Sequence, residues 1–189
     1  MKYFETSRQA VDLRGISLLG RILDIGGGGE GIISQHSGNG VVAIDARKEE
    51  LEETPDIGLK IVMNACDLKF LDKSFDHITC FFSLMYMSRN EIEIFFKEAH
   101  RVLRDDGYLW IWDVTIPYPA QSDVFVAQLE VMISDTLRVS TGYGIAWTRA
   151  HSLEILQATG GECSFTPCEK STTDETFFLR MRKLDSVFR

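Results

Sequence analysis

The sequence has 189 residues, 44% of them hydrophobic, and carries 20 Lys and Arg against 28 Asp and Glu. This length and apolar content predict one domain with a full hydrophobic core. The net charge of −8 disfavours a nucleic-acid partner, because an acidic chain repels phosphate backbones. No apolar run approaches the ~20 residues that span a bilayer, and the N-terminus lacks a signal-peptide pattern. We therefore expect no membrane association and a cytoplasmic location.

The cysteines give no sign of a metal site. In the cytoplasm they are expected to be reduced, and none belongs to a Cys-x-x-Cys pair or lies beside a histidine cluster. We interpret them as small apolar side chains of the interior: Cys66, Cys80, Cys163 and Cys168.

The first two thirds of the chain alternate short apolar runs with helical patterns. The apolar runs predict strands at 21–25, 41–45, 59–63, 75–82 and 108–114. Helices are predicted between them at 30–36, 47–53 and 90–103, and Asp105-Asp106-Gly107 is predicted to be a turn. The alternation predicts a Rossmann-like, doubly wound α/β fold, with a mostly parallel sheet and helices on both faces.

The pattern changes in the last third. Residues 124–133 and 136–147 are rich in β-branched side chains and predict a β-hairpin, with an amphipathic helix as the alternative. A helix over 149–159, ended by Gly160-Gly161, and antiparallel strands at 163–166 and 176–181 follow. The sequence thus predicts a single domain, 1–189, with a seven-stranded mixed sheet, an antiparallel last strand and a hairpin-like insertion at about 118–147.

A glycine-rich turn follows the first of these strands, in Leu23-Asp-Ile-Gly-Gly-Gly-Gly-Glu-Gly31. Glycines at a strand-to-helix turn let the backbone approach a ligand and adopt positive φ, and the following helix would offer unpaired N–H groups. Asp45 ends the next predicted strand, about twenty residues on, where a carboxylate accepts hydrogen bonds from ribose hydroxyls. The turn is therefore predicted to hold a nucleoside-containing ligand.

The spacing Gly26-x-Gly28-x-x-Gly31 also matches a dinucleotide fingerprint, so the glycines alone leave two ligands open. Asp24 favours S-adenosylmethionine, because a carboxylate there suits an α-amino group and would repel a pyrophosphate. The predicted sheet also leaves little chain for the separate substrate region that a dehydrogenase needs, and no Tyr-x-x-x-Lys pair is present.

Four blocks resemble the class I S-adenosylmethionine-dependent methyltransferases, in particular the small group that includes ubiquinone and menaquinone methylases. The resemblance covers about residues 21–114. The third block is similar to a family pattern of roughly Asp-Ala-x-x-Leu-Pro-Phe-x-Asp-x-Ser-Phe-Asp. The blocks are Ile22-Leu-Asp-Ile-Gly-Gly-Gly-Gly29, Val42-Ala-Ile-Asp45, Asn64-Ala-Cys-Asp-Leu-Lys-Phe-Leu-Asp-Lys-Ser-Phe-Asp76 and Glu98-Ala-His-Arg-Val-Leu-Arg-Asp-Asp-Gly-Tyr108.

The resemblance implies S-adenosyl-L-methionine as the cofactor and assigns residues to it. The methionine moiety would lie against Asp24, Gly26 and Gly28. The ribose hydroxyls would bind Asp45, and the remaining implied contacts are Ala46 beside the adenine, Asn64 and Ala65 at its edge, and Phe81 and Phe82 near the methyl donor.

Two positions depart from the family pattern. Glu30 stands where the family often has its third glycine, with Gly31 one place later. It could tilt the first turn of the helix or put a carboxylate near the ligand's ammonium. Asn64 stands where the family usually has Asp; its amide oxygen could accept the same hydrogen bond from adenine.

Candidates for the acceptor side are few. Methyl transfer from a sulfonium needs in-line positioning, and a base only where the acceptor must lose a proton. Tyr86, after the fourth strand, and Asp113, at the end of the fifth, are candidate substrate contacts. His77 and His100 are expected to be structural, His36 to lie on a helix surface, and His151 to be solvent-exposed. An aromatic cover over the site is predicted from Tyr118, Tyr143 and Trp147.

These residues predict a methyltransferase that acts on a small molecule by in-line transfer. Two alternatives stay open, an NAD-dependent oxidoreductase and a non-catalytic S-adenosylmethionine-binding protein. The hairpin-like insertion could equally serve as a contact in a homodimer.

Overall fold

The computed structural model describes residues 1–184, which form two β-sheets and four α-helices. In chain order these elements are β1 (Tyr3–Glu5), β2 (Gln9–Asp12), β3 (Ile22–Ile25), α1 (Ile32–Ser37), β4 (Val41–Asp45), α2 (Lys48–Glu53), β5 (Leu59–Val62), β6 (Phe75–Phe81), α3 (Arg89–Val102), β7 (Leu103–Val114), β8 (Val124–Met132), β9 (Arg138–Ala146), α4 (Leu153–Glu162), β10 (Phe165–Thr173) and β11 (Thr176–Lys183).

The main sheet has seven strands in the order β10-β11-β7-β6-β3-β4-β5. Strand β11 is antiparallel to both of its neighbours, and the other strand pairs are parallel. This confirms the predicted seven-stranded mixed sheet. Strand β3, at its centre, reads Ile-Leu-Asp-Ile and is buried throughout, as expected of a parallel strand covered on both faces.

Helices α3 and α4 cover one face of the main sheet. Helix α3 begins with a capping box, in which the Ser88 hydroxyl accepts from Glu91 N and the Glu91 carboxylate accepts from Ser88 N. Its apolar side chains recur at helical spacing and are buried against the sheet: Ile92, Phe95, Phe96, Ala99 and Val102.

Several predicted boundaries were wrong, including the start of α4, predicted at 149, and the bounds of β10, predicted at 163–166, and three further differences have identifiable reasons. The predicted glycine stop at 160–161 lies inside α4, where Gly160 packs closely on Met181 and Phe96 and does not form a turn; a Cβ there would lie 2.7 and 3.0 Å from their side chains. Helix α1 begins at Ile32, after the left-handed Gly31, and not at Glu30. The predicted turn at 105–107 lies within β7, where Asp106 has φ 61°.

A second sheet lies over the other face. Strand β8 pairs in parallel with β1 and β2 and antiparallel with β9. The predicted hairpin is therefore confirmed, and its helical alternative is wrong. Alternate β8 side chains pack in one apolar cluster with Trp110, Trp112 and α1, so this face is covered largely by strands. Strands β1 and β2, which complete this sheet, were not predicted from the sequence.

Candidate functional site

The main sheet reverses its strand order at β3. The chain runs outward from β3 through β4 to β5 and then returns to β6 on the other side of β3. In open α/β sheets the crevice at the carboxyl ends of such strands is the usual ligand site. The residues that follow β3, β4, β5, β6 and β7 are therefore the ones to inspect.

The glycine turn after β3 is held between two neighbouring segments. The N–H groups of Gly26 and Gly27 both donate to the Ile44 carbonyl, at 2.8 and 3.0 Å. Gly26 has φ 69°, and a Cβ there would lie 2.6 Å from Ser83 Cβ. A Cβ on Gly28 would lie 2.4 Å from Glu50 Cβ. Gly26 therefore requires glycine for its conformation and for its close packing, and Gly28 for its close packing.

Asp24 lies beneath this turn. Its side chain is 2% exposed and accepts a 2.7 Å hydrogen bond from the Thr79 hydroxyl. Within residues 1–184 no basic side chain forms an ion pair with it. Burial raises the pKa of Asp24 to about 7, and the negative charge of Asp45 adds to the effect. The site thus contains a buried carboxyl group without a cationic partner.

Asp45 and Ala46 follow β4. The Asp45 Oδ1 atom accepts from Arg47 N at 2.8 Å, just before α2 begins. Its Oδ2 atom faces the glycine turn, since a Cβ on Gly28 would lie 3.0 Å from it. Ala46 is exposed. One oxygen of Asp45 thus orders the backbone, and the other points to the crevice.

Asn64 and Ala65 follow β5. Asn64 is exposed, and its Oδ1 atom, the one predicted to accept from adenine, accepts a 2.8 Å hydrogen bond from Cys66 N. An amide oxygen has a second lone pair for a ligand. Ala65 is buried in the main core.

The segment after β6 carries aromatic side chains and a tight turn. Phe81 and Phe82 are buried, and Phe82 has φ 49°. The Ser83 hydroxyl is buried beside Gly26 and has no hydrogen-bond partner. Tyr86 ends a 3-10 turn, Leu84–Tyr86, and is 48% exposed. Its pKa is raised to about 12, chiefly by burial and then by nearby carboxylates.

Asp113 holds that turn in place from below. It is 0% exposed, and its carboxylate accepts from Met85 N at 3.1 Å and from Val114 N at 2.9 Å. The His151 Nε2 atom lies 3.2 Å from Asp113 Oδ2. His151 is 2% exposed, so the expectation of solvent exposure was wrong. These contacts give Asp113 a supporting position under Tyr86.

The three aromatic residues that were predicted to cover the site lie in three different environments. Tyr118 is 62% exposed, whereas Trp147 is buried and donates to the Pro117 carbonyl at 2.5 Å. Tyr143 alone of the three reaches the glycine turn, where its hydroxyl donates to Glu30 Oε2 at 3.0 Å. The partners of Glu30 could not be identified from the sequence, because they lie in β9, more than a hundred residues away.

The carboxyl edge of the main sheet is acidic. The carboxyl groups of Asp24, Glu30, Asp45, Glu50 and Asp113 lie there, as their contacts with the turns show. Arg47 pairs with Glu50 at 2.8 Å, and Arg149 donates to the carbonyls of Met85 and Met87. Such an edge favours a cationic ligand and repels a pyrophosphate.

An open groove of about 660 Å³ lies at the opposite edge, lined by residues that include Asp76, Arg104 and Lys73, but these charges are paired with one another or with Asp105. No group of three metal-ligating side chains occurs within residues 1–184. Over the same residues no helix has the length and apolar character needed to cross a membrane.

The chain is similar in sequence and in fold to known proteins. Residues 23–111 match the family described as a methyltransferase domain. A S-adenosylmethionine-dependent methyltransferase from Methanosarcina mazei is 20% identical, with a TM-score of 0.62 over 87% of this chain and 92% of that one. One from Clostridium acetobutylicum is 15% identical, with a TM-score of 0.61 over 88% and 85%.

A third similar structure has a different activity in its name. The [4+2]-cyclase SpnF is 15% identical, with a TM-score of 0.62 over 90% of this chain and 77% of that one. Among curated proteins, none matches the sequence with significance. At these identities the structural likeness establishes the fold, and function must be argued from the site.

Proposed function

We propose that the chain is a class I S-adenosylmethionine-dependent methyltransferase, which binds the cofactor at the glycine turn and methylates a small molecule by in-line transfer. The observation that carries the proposal is the acidic carboxyl edge, with the buried Asp24 carboxyl lying beneath Gly27 and lacking a cationic partner. S-adenosylmethionine has a sulfonium and an α-ammonium group, which such an edge stabilises.

The residues present fit this cofactor. The Ser83 hydroxyl is a buried polar group without a partner at Gly26, and the amino-acid end of a ligand would satisfy it. Asp24 offers a carboxylate to the ammonium from beneath the turn, and the free Oδ2 of Asp45 faces the space suited to ribose hydroxyls. We assign the adenine to Ala46, Asn64 and Ala65. We place Phe81 near the methyl group.

The cofactor supplies a methyl group on a sulfonium whose leaving thioether is neutral. The protein has only to hold donor and acceptor in line and exclude water. Tyr86 is our candidate for an acceptor contact, because its half-exposed phenol stays protonated near neutral pH and can donate a hydrogen bond. Asp113 positions the turn that carries Tyr86 through its bond from Met85 N.

An NAD-dependent oxidoreductase is disfavoured by the same charges, since a pyrophosphate at the glycine turn would face Asp24, Glu30 and Asp45. A binding protein without methyl transfer, or one with another activity, is the remaining alternative. The name of the similar [4+2]-cyclase illustrates that the fold is not confined to one reaction.

Isothermal titration tests the cofactor, and a second assay tests the reaction. We expect S-adenosylmethionine and S-adenosylhomocysteine to bind and NAD not to bind. A panel of small acceptors is then screened for release of S-adenosylhomocysteine. Binding of NAD without binding of S-adenosylhomocysteine would contradict the proposal. Binding without turnover on any acceptor class would favour the non-catalytic alternative.

A further inference from the structure

Glu30 interrupts the glycine turn, and its carboxylate points away from α1. It lies between Gly29 and Gly31, which both have left-handed backbones with φ 59° and 58°. Its carboxylate accepts hydrogen bonds from the Thr141 hydroxyl and, at 3.0 Å, from the Tyr143 hydroxyl, both in β9. We refer to Glu30, Thr141 and Tyr143 as the clasp.

A capping role does not explain Glu30. Helix α1 starts at Ile32, its N-cap is Gly31, and no side chain caps it. The two donors to the Glu30 carboxylate are neutral hydroxyls of another sheet, more than a hundred residues away in sequence. Bonds from neutral donors to a carboxylate are charge-assisted and directional, so they hold the turn in a defined place.

Tyr143 extends the clasp to a second segment of the site. Its ring stacks on Phe82, with centroids 5.6 Å apart and planes at 20°. Phe82 is buried at φ 49° and follows β6, directly before the turn that carries Tyr86. The pKa of Tyr143 is raised well above its usual range by burial and by Glu30, so its hydroxyl stays a donor. One side chain of β9 thus touches both the glycine turn and the segment after β6.

We propose that Glu30 is a positioning residue, and that the clasp fastens the glycine turn to the β8–β9 hairpin, which forms the acceptor-side wall of the site. Binding at the glycine turn is then transmitted to β9. The part of this inference that concerns a ligand rests on the proposed function. The part that concerns structure alone, in which the β8–β9 hairpin orders the glycine turn, is independent of the proposed function.

The main variant breaks the clasp by changing its two residues in β9. The double variant Thr141→Val/Tyr143→Phe removes both donors and leaves the glycine turn unchanged in sequence, and Tyr143→Phe keeps the ring on Phe82. Glu30→Ala breaks the clasp from the near side, and Glu30→Gln keeps a group that can pair with both hydroxyls. Ser140→Ala, on the exposed side of β9 beside Thr141, is the matched control.

Hydrogen exchange without any ligand is the first readout. We expect amides of residues 26–31 to exchange about tenfold faster in both clasp-breaking variants, at wild-type rates in Ser140→Ala, and at nearly wild-type rates in Glu30→Gln. Unchanged exchange at 26–31 in Thr141→Val/Tyr143→Phe, with the fold retained by circular dichroism, would overturn the proposal.

Binding of S-adenosylhomocysteine is the second readout. We expect about fivefold or greater weakening in Glu30→Ala and in the double variant, with no further loss when the changes are combined, because coupled residues are non-additive. Additive losses would show that Glu30 meets the ligand independently of β9, which overturns the coupling. If the wild-type chain binds no S-adenosylhomocysteine, the proposed function fails, and the exchange measurement still decides the clasp.

Discussion

The two sheets of this protein differ in how their residues are related along the chain. From β3 to β7 the main sheet is built from strands that follow one another along the chain, and the candidate site residues lie in the turns after these strands. The second sheet joins the N-terminal β1 and β2 to β8 and β9, more than a hundred residues later. Asp24 and Asp45 belong to the main sheet. The clasp connects the two sheets, because Glu30 lies in the glycine turn and its partners lie in β9.

The two sheets also differ in what they contribute to the candidate site. The glycine turn, the two aspartates and the segment after β6 lie on the main sheet, within residues 23–111, which match the methyltransferase-domain family. The second sheet lies outside the matched residues and packs one face of β8 on Trp110 and Trp112. We infer that the main sheet binds the methyl donor. The second sheet then shapes the part of the site that receives the methyl acceptor.

The largest effect is expected from removing apolar side chains on either side of the main sheet. Phe95→Ala, under α3, and Leu129→Ala, on the inner side of β8, should each lower the free energy of unfolding by about 3–5 kcal/mol, because both side chains are fully buried. Urea denaturation followed by circular dichroism and tryptophan fluorescence should give one transition for both. Two separate transitions in Leu129→Ala would mean that the sheets unfold independently.

Asp24→Asn should change the pH dependence of stability. The folded pKa of about 7 lies above the unfolded value, so the protonated carboxyl stabilises the fold at low pH, and that stability is lost as the pH rises through 7. Between about pH 5.5 and 8.5 the wild type should lose about 2 kcal/mol that the variant keeps. Urea titrations at both pH values measure this difference. Parallel pH profiles for the two proteins would rule out a raised pKa.

Gly28→Ala should weaken binding of S-adenosylhomocysteine by about tenfold or more, since the new Cβ would overlap Glu50 and press on Asp45. Calorimetry measures the dissociation constant. Gly161→Ala is the control, because nothing lies within 4 Å of its Cβ position, in helix α4. Equal affinity in the two variants would place the ligand away from the glycine turn.

The smallest effect on stability is expected from Tyr86→Phe. About half of the side chain is exposed and no hydrogen bond of the phenol within residues 1–184 is known, so the free energy of unfolding should change by less than about 0.5 kcal/mol. Binding of S-adenosylhomocysteine should stay unchanged, while kcat/KM for the acceptor should fall, because the phenol is assigned to the acceptor side. A fall in cofactor affinity would instead assign Tyr86 to the donor side.

Several parts of this structure could be predicted because their causes are local. The apolar run of β4 predicted Val41–Asp45 without error, and the spacing of apolar residues predicted α3 to within a residue. The glycine turn and Asp45 were found for the same reason, since strand, turn and acid follow one another. Boundaries failed where packing overrode local preference, as at Gly160 against Met181 and Phe96.

The sequence by itself determined the main sheet, the glycine turn and the acids beside it, because hydrophobic period and turn residues act over a few positions. Only the tertiary structure decided that His151 is buried 3.2 Å from Asp113, and that β1 and β2 complete the second sheet. It also decided the partners of Glu30, which are 111 and 113 residues away along the chain. Contacts at that separation leave no local pattern, because they exist only once both sheets have packed together.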